Sequence, residues 1–159
     1  MNIVRDTREK LPLDLGLVAA MRDVPVSIDV RKLDYGDYSI AGLEDRFAIE
    51  RKRSTGELAL NLGKGRDRFW RELEGLSKFR RSILLCEFPE WHLGVFPEHS
   101  GIPVKKQRFL RMNSGFLIRS IQDLQAEFGL EVIYCNDRKH AEDVVFDLLL
   151  EVNLWDSHG

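Results

Sequence analysis

Leu33-Asp34-Tyr35-Gly36-Asp37-Tyr38-Ser39-Ile40, a short link over 41–46, and Phe47-Ala48-Ile49-Glu50-Arg51-Lys52 form the stretch on which the fold turns. Tyr38 and Ile40 alternate with their neighbours, as do Phe47 and Ile49, which is the period of a strand. A loop centred on Leu43 and Glu44 makes the two runs a hairpin. If that hairpin is symmetric, Asp37 stands directly across from Glu50, with Cβ atoms about 5 Å apart. The strand period puts Lys52 on the same face as Glu50, while Phe47, Ile49 and the stem of Arg51 face the other way. Opposed carboxylates repel, so a plain sheet gains nothing from this pair. A divalent cation reverses the sign, because hard cations take carboxylate oxygens as ligands. Lys52 beside them is suited to hold an attacking water or offset phosphate charge. The competing reading is a sheet edge that carries mixed charges.

Working outward, Ile3 and Val4 belong to a first strand that ends at Asp6-Thr7-Arg8-Glu9 and turns into a helix near Leu13. Asp6 and Glu9 then lie at a strand terminus, although acids also favour the positive end of a helix. Val26, Ile28 and Val30 alternate as another strand, and the apolar runs 82–88 and 131–135 have strand composition. Helical spacing appears at Leu15, Val18 and Ala19, at Phe69, Leu73 and Leu76, and at Leu117, Ile121, Leu124 and Phe128. It is clearest in Ala141, Val144, Val145, Leu148 and Leu149, with Asn136-Asp137 before it as an N-cap. Residues 89–113, rich in Pro and Gly, read as the longest irregular stretch. This interleaving predicts an α/β fold, a central sheet flanked by helices. Strands over 26–52 read as a meander, which makes the sheet mixed.

The 159 residues fit one domain, 1–159, with a core over about 2–90 and a helical and strand portion over about 104–159. With 43% hydrophobic residues the chain has material for a core, which excludes disorder. No run approaches the ~18 apolar residues that cross a bilayer, so no membrane partner is expected. Cys86 and Cys135 are lone strand cysteines, neither a disulfide framework nor a four-ligand zinc site. They point to a reducing compartment. The four histidines, His92, His99, His140 and His158, show no metal-ligand spacing.

The net charge of −2 conceals an asymmetry. Residues 46–81 hold 11 Lys and Arg against 5 Asp and Glu, whereas 123–156 hold nine acids and two bases. A basic middle suggests one surface that attracts polyanions, unless these are only the solvated faces of charged helices. Lys64, Arg66, Arg68 and Arg71 are the candidate phosphate contacts, where Gly63 and Gly65 let backbone approach a ligand and a helix begins. Lys105 and Lys106 form a second basic cluster, read either as a clamp or as a surface loop.

Asp6-x-Arg8-Glu9, then Gly36-Asp37, then Glu50-Arg51-Lys52 together resemble the XPF family of structure-specific endonucleases, within the wider PD-(D/E)xK nuclease fold. Gly65-Arg66 opening a basic helix and the strand over 83–87 extend the likeness, which covers roughly residues 2–90 well and the rest loosely. The resemblance implies cleavage of branched, flap or junction DNA in repair, recombination or replication, with Mg²⁺ or Mn²⁺. It implies Asp37 and Glu50 as metal ligands supported by Asp6 and Glu9, with Lys52 near the attacked phosphate. Arg8 and Arg51 would steady the site or the DNA backbone. The sequence departs from the family signature where Asp should follow Glu-Arg-Lys by four positions. Gly56 stands there, and Glu57 comes one place later, inside a Ser54-Thr55-Gly56-Glu57 capping box. No tandem helix-hairpin-helix module and no helicase accompany the motifs, so the chain is similar to a compact prokaryotic or viral member acting in the cytoplasm.

The other functional class is a non-catalytic DNA-binding or scaffold subunit. Retention of Asp37, Glu50 and Lys52 together favours the enzyme. An enzyme of small phosphorylated ligands fits poorly, because no Gly-rich phosphate loop follows a strand. Trp155 and the apolar stripe over 138–152 predict a homodimer built on 114–128 and 138–155, as the resembled family pairs its nuclease domains. An accessory DNA-processing protein is a further expected partner.

Overall fold

The structure is a computed structural model and describes residues 1–155. The end of the predicted domain, 156–159 with His158, lies outside the described residues. Six strands form one sheet: β1 (Asn2–Arg5), β2 (Ser27–Val30), β3 (Tyr38–Ile40), β4 (Phe47–Lys52), β5 (Arg81–Cys86) and β6 (Glu131–Tyr134). Their order is β2-β1-β3-β4-β5-β6. β1 runs parallel to β2 and antiparallel to β3, β3 is antiparallel to β4, and β4, β5 and β6 are parallel. The sheet is mixed as expected, but 26–52 is not a meander. β1 inserts between β2 and β3, because the chain reaches β2 through helix α1 (Leu15–Met21), and a parallel partner needs such a crossover.

Side chains of β4 and β5 divide by the period of two. Phe47, Ile49, Ile83 and Leu85 enter one core with Leu15, Val18, Ala141, Val145 and Leu149. Those last residues belong to α1 and to the long helix Arg138–Asn153. Ala48, Leu84 and Cys86 enter a second core on the opposite face. There α2 (Thr55–Leu62), α3 (Arg66–Ser77), α4 (Trp91–Gly94) and α6 (Ser114–Phe128) cover the sheet; α5 (Val104–Gln107) precedes α6, and Arg138–Asn153 is α7. With helices on both faces, all six residues of β4 are buried, including Glu50, Arg51 and Lys52. The polar end of a central strand is thereby set into the protein.

Capping residues fix the helix starts. The side chains of Asp14, Ser54, Asn113 and Asp137 each accept from a backbone N–H in the first turn of α1, α2, α6 and α7. The basic segment forms two helices, since the chain turns at Gly63–Gly65 between α2 and α3. The stretch 89–113 contains the short helices α4 and α5. Among the described residues no helix is long and apolar enough to cross a membrane.

Candidate active site

The hairpin register makes Tyr38 the partner of Ile49, which sets Asp37 beside Glu50 at the end of β4. Gly36 makes this approach possible. Its φ is +85°, and a Cβ there would stand 2.8 Å from the Ala48 Cβ. The Asp37 N–H donates to the Ile49 carbonyl at 2.8 Å, and its side-chain Oδ2 accepts from the Arg51 N–H at 2.8 Å. The Gly-Asp pair therefore lays a carboxylate along the end of the neighbouring strand.

Glu50 Oε1 accepts from Lys52 Nζ at 2.9 Å, while Glu50 Oε2 is buried and has no hydrogen-bond partner. Lys52 Nζ also lies 4.9 Å from the centre of the Phe69 ring. Burial pushes Asp37 up to about 7. Burial, and next the Asp37 charge, push Glu50 well above the usual carboxylate range. Burial opposes the Lys52 ammonium, yet the charge and hydrogen bond of Glu50 keep its pKa above the ordinary value. Two acids and one ammonium thus share a site in which acid oxygens outnumber donors.

Arg51 leaves on the other face, as strand alternation requires. Its Nε donates to Glu87 Oε2 at 2.7 Å and its Nη1 to the Leu11 carbonyl at 2.5 Å, with Glu9 Oε2 3.5 Å from Nη1. The side chain is wholly buried, so Arg51 steadies the site from beneath and is not placed to touch a DNA backbone. Glu9 serves as a partner of this arginine.

Asp6 is built into a different unit. It accepts from Arg8 N at 3.0 Å, Arg8 Nε at 2.7 Å, Arg8 Nη2 at 3.2 Å and Leu33 N at 2.8 Å. Arg8 Nη2 closes the unit on the Leu33 carbonyl at 2.9 Å. Burial works against the Asp6 charge, but these bonds hold its pKa below the ordinary value. Among the acids read together from the sequence, Asp37 and Glu50 share a site, and Glu9 pairs with Arg51 while its charge also acts on Asp37. Asp6 ties β1 to the loop before Gly36, with its N–H donating to the Asp37 carbonyl at 2.9 Å. Among the described residues no three His, Cys, Asp or Glu side chains form a ready metal cage.

A magnesium-type ion keeps several waters and needs only one or two carboxylates with substrate phosphates. Asp37 and Glu50 fit that demand, because the partnerless Oε2 of Glu50 is an acceptor without a donor.

Glu57 belongs to the start of α2. Its N–H donates to Ser54 Oγ at 3.1 Å and its carboxylate pairs with Arg53 at 2.9 Å. The glycine before it has its own cause: Gly56 N–H donates to the Ser100 carbonyl at 3.2 Å, and a Cβ at that position would collide with the same oxygen. The loop over 97–102 thus occupies the space that an aspartate side chain would need.

Lys64, Arg68 and Arg71 are exposed around the start of α3, whose buried side is Phe69, Leu73 and Leu76. Arg66 is half-buried and stacks 4.1 Å from the Trp70 ring, bracing α3 where Trp70 meets Phe128 of α6. Lys105 and Lys106 are exposed on α5. Sequence reading missed Glu72, a half-buried acid of α3 whose charge adds to the upward push on both Asp37 and Glu50. The signal was its place one turn after Phe69 on the inward face. Trp155 docks on its own chain, 6.0 Å from the Phe47 ring and beneath the Arg80 guanidinium at 4.2 Å.

Comparison with curated proteins finds no match. Among solved structures the chain is similar to XPF from Aeropyrum pernix, with a TM-score of 0.67 and 19% identity, covering 96% of this chain and 61% of that one. A second structure of XPF from Aeropyrum pernix, in complex with DNA, gives a TM-score of 0.64 and 20% identity, covering 96% and 64%. The chain thus spans under two thirds of the length of these structures, and the likeness establishes a shared nuclease fold. The family model described as the ERCC4 domain matches residues 5–148, most of the sheet and both helical layers, and the chain belongs to that family.

Proposed function

We propose that the chain is a divalent-cation-dependent endonuclease that hydrolyses phosphodiester bonds in branched, flap or junction DNA. The observation that carries this reading is the buried Glu50 oxygen without a partner beside Asp37 and Lys52. A structural ion pair gains nothing from such an oxygen, whereas a cation site needs it. Membership in the ERCC4 domain family and the DNA-bound XPF structure support the choice of DNA.

Asp37 and Glu50 would hold Mg²⁺ or Mn²⁺, which supplies Lewis acidity and a more acidic bound water. Lys52 presents its ammonium on the same strand face and offsets the charge that gathers on the attacked phosphate. Arg51 keeps the strand end fixed against Glu87 and Leu11. Lys64, Arg68 and Arg71, with Lys105 and Lys106, attract the phosphate backbone without reading sequence. We assign the activity to DNA repair, recombination or replication in a cytoplasmic setting, with an accessory DNA-processing protein as a further partner. A homodimer through 114–128 and 138–155 would have to use outward residues such as Ile118 and Leu154, which are exposed, because the inward faces of these helices cover the chain's own sheet.

The test is cleavage of labelled flap, fork, splayed-arm and four-way DNA with Mg²⁺, Mn²⁺ or EDTA. The wild type should cut at least one branched substrate only with the cation, and Lys52→Ala should lose turnover with DNA binding little changed. Binding without cutting on every substrate would overturn the assignment and leave a non-catalytic DNA-binding subunit.

A further inference from the structure

We infer that Glu72 is a third acid of this site, placed by α3 to hold a bound divalent cation through its water shell. The inference rests on the cation site proposed above and extends it to a residue outside the hairpin.

The placement follows from the neighbours of Glu72 on its helix. Phe69, three residues before, lies under Lys52 with its ring centre 4.9 Å from Nζ. Gly75, three residues after, packs so closely on Tyr35 that a Cβ would collide with the ring. Residues three apart share a helix face, so Glu72 lies between a contact with Lys52 and a contact with Tyr35, two residues before Asp37. That span of α3 borders Lys52 and the chain just before Asp37. Glu72 is half-buried as a residue and has no hydrogen bond or ion pair among the described residues. Its charge acts on both Asp37 and Glu50, and Glu50 Oε2 is buried and also without a partner.

Charge gives the same result. Asp37 and Glu50 with Lys52 carry a net single negative charge when ionised, and Glu72 raises it to the two that match a divalent ion. The absence of a ready three-residue cage among the described residues assigns Glu72 to the ion's waters, since magnesium-type ions retain most of theirs. Acids that orient such waters change affinity as outer partners of a metal do.

The experiment is Mn²⁺ binding to the intact chain, read from the loss of the free-ion signal in electron paramagnetic resonance. Wild type, Glu72→Gln, Glu72→Asp, Glu74→Gln and Asp37→Asn are compared, with circular dichroism confirming the folded state. Glu74 is exposed on the same helix and controls for loss of one surface charge. Glu72→Gln should weaken Mn²⁺ binding about 10–100-fold. Glu72→Asp should recover part of it, Glu74→Gln should match wild type, and Asp37→Asn should abolish binding. Unchanged binding in Glu72→Gln with loss in Asp37→Asn would refute the role of Glu72 alone. Equal weakening in Glu72→Gln and Glu74→Gln would also refute it. Equal binding in wild type and Asp37→Asn would overturn the cation site and this inference together.

Discussion

Asp6 and Glu50 are both buried carboxylates, 1% and 5% exposed, and each is paired with a cation two residues further along the chain. Arg8 gives Asp6 a fork of side-chain donors, and two backbone N–H groups complete the set. Lys52 gives Glu50 one bond, and the other oxygen stays without a partner. The bonds hold Asp6 below its usual pKa, whereas burial and Asp37 drive Glu50 above its own. The same spacing of acid and base thus builds a closed structural link in one place and an open site in the other. The number of donors within reach decides which, because a buried carboxylate is stable as an anion only when its lone pairs are filled.

The largest effect should come from Asp37→Asn. Cation-dependent cleavage should fall by more than about 100-fold, beyond what loss of an outer partner costs. Stability should move the other way. Because the folded pKa of Asp37 is raised to about 7, the wild type keeps this contribution at low pH and loses it as pH rises through that value. Melting in EDTA between pH 5 and 8 should show a flatter decline for Asp37→Asn and a higher midpoint at pH 8. A lower midpoint there would mean that the open site is as well satisfied as the closed one.

Asp6→Asn tests the other half of the comparison. It strips charge from bonds to Arg8 and leaves one amide nitrogen against donors, and should cost about 1–3 kcal/mol of stability in denaturant titration. Mn²⁺ affinity should change little. If Mn²⁺ binding were lost in a folded Asp6→Asn protein, the division between the two clusters would be wrong.

The sequence carried the open site further than the closed one. Strand period and the hairpin loop placed Asp37 by Glu50 and Lys52 on one face, since those relations are local. Asp6 and Glu9 were grouped with them because proximity in sequence cannot show which donors arrive from elsewhere. Leu33 supplies one bond to Asp6, and Glu87 joins Glu9 on Arg51, all from other elements. The order of the sheet is hidden for a related reason: strands close in sequence suggest a meander, but the crossover through α1 puts β1 between β2 and β3. Helical spacing from Phe69 puts Glu72 beside the inward face of α3, and the packing of α3 on Tyr35 and Lys52 is what brings that face to the Asp37–Glu50 pair.

A smaller effect separates the basic residues. Arg68 and Arg71 are exposed, while Arg66 is stacked on Trp70. Removing Arg68 and Arg71 should weaken binding to all DNA sequences alike and lower the slope of affinity against salt by about 0.9 per lost phosphate contact. Arg66→Ala should act mainly on stability, measured by melting. An unaltered salt slope in the double variant would turn that face of α3 away from DNA.

The most direct test of the central claim is calorimetric titration of Mn²⁺ into the intact chain, repeated in buffers of different ionisation enthalpy to count released protons. Below about pH 7 Asp37 keeps its proton, so the ion must displace it. At pH 6 we predict release of protons from the Asp37–Glu50 pair on ion binding, falling as pH is raised above 7, with affinity climbing over the same interval. Asp6→Asn should reproduce that behaviour and Asp37→Asn should bind no ion. Binding without proton release at pH 6, or binding that survives in Asp37→Asn, would contradict the account.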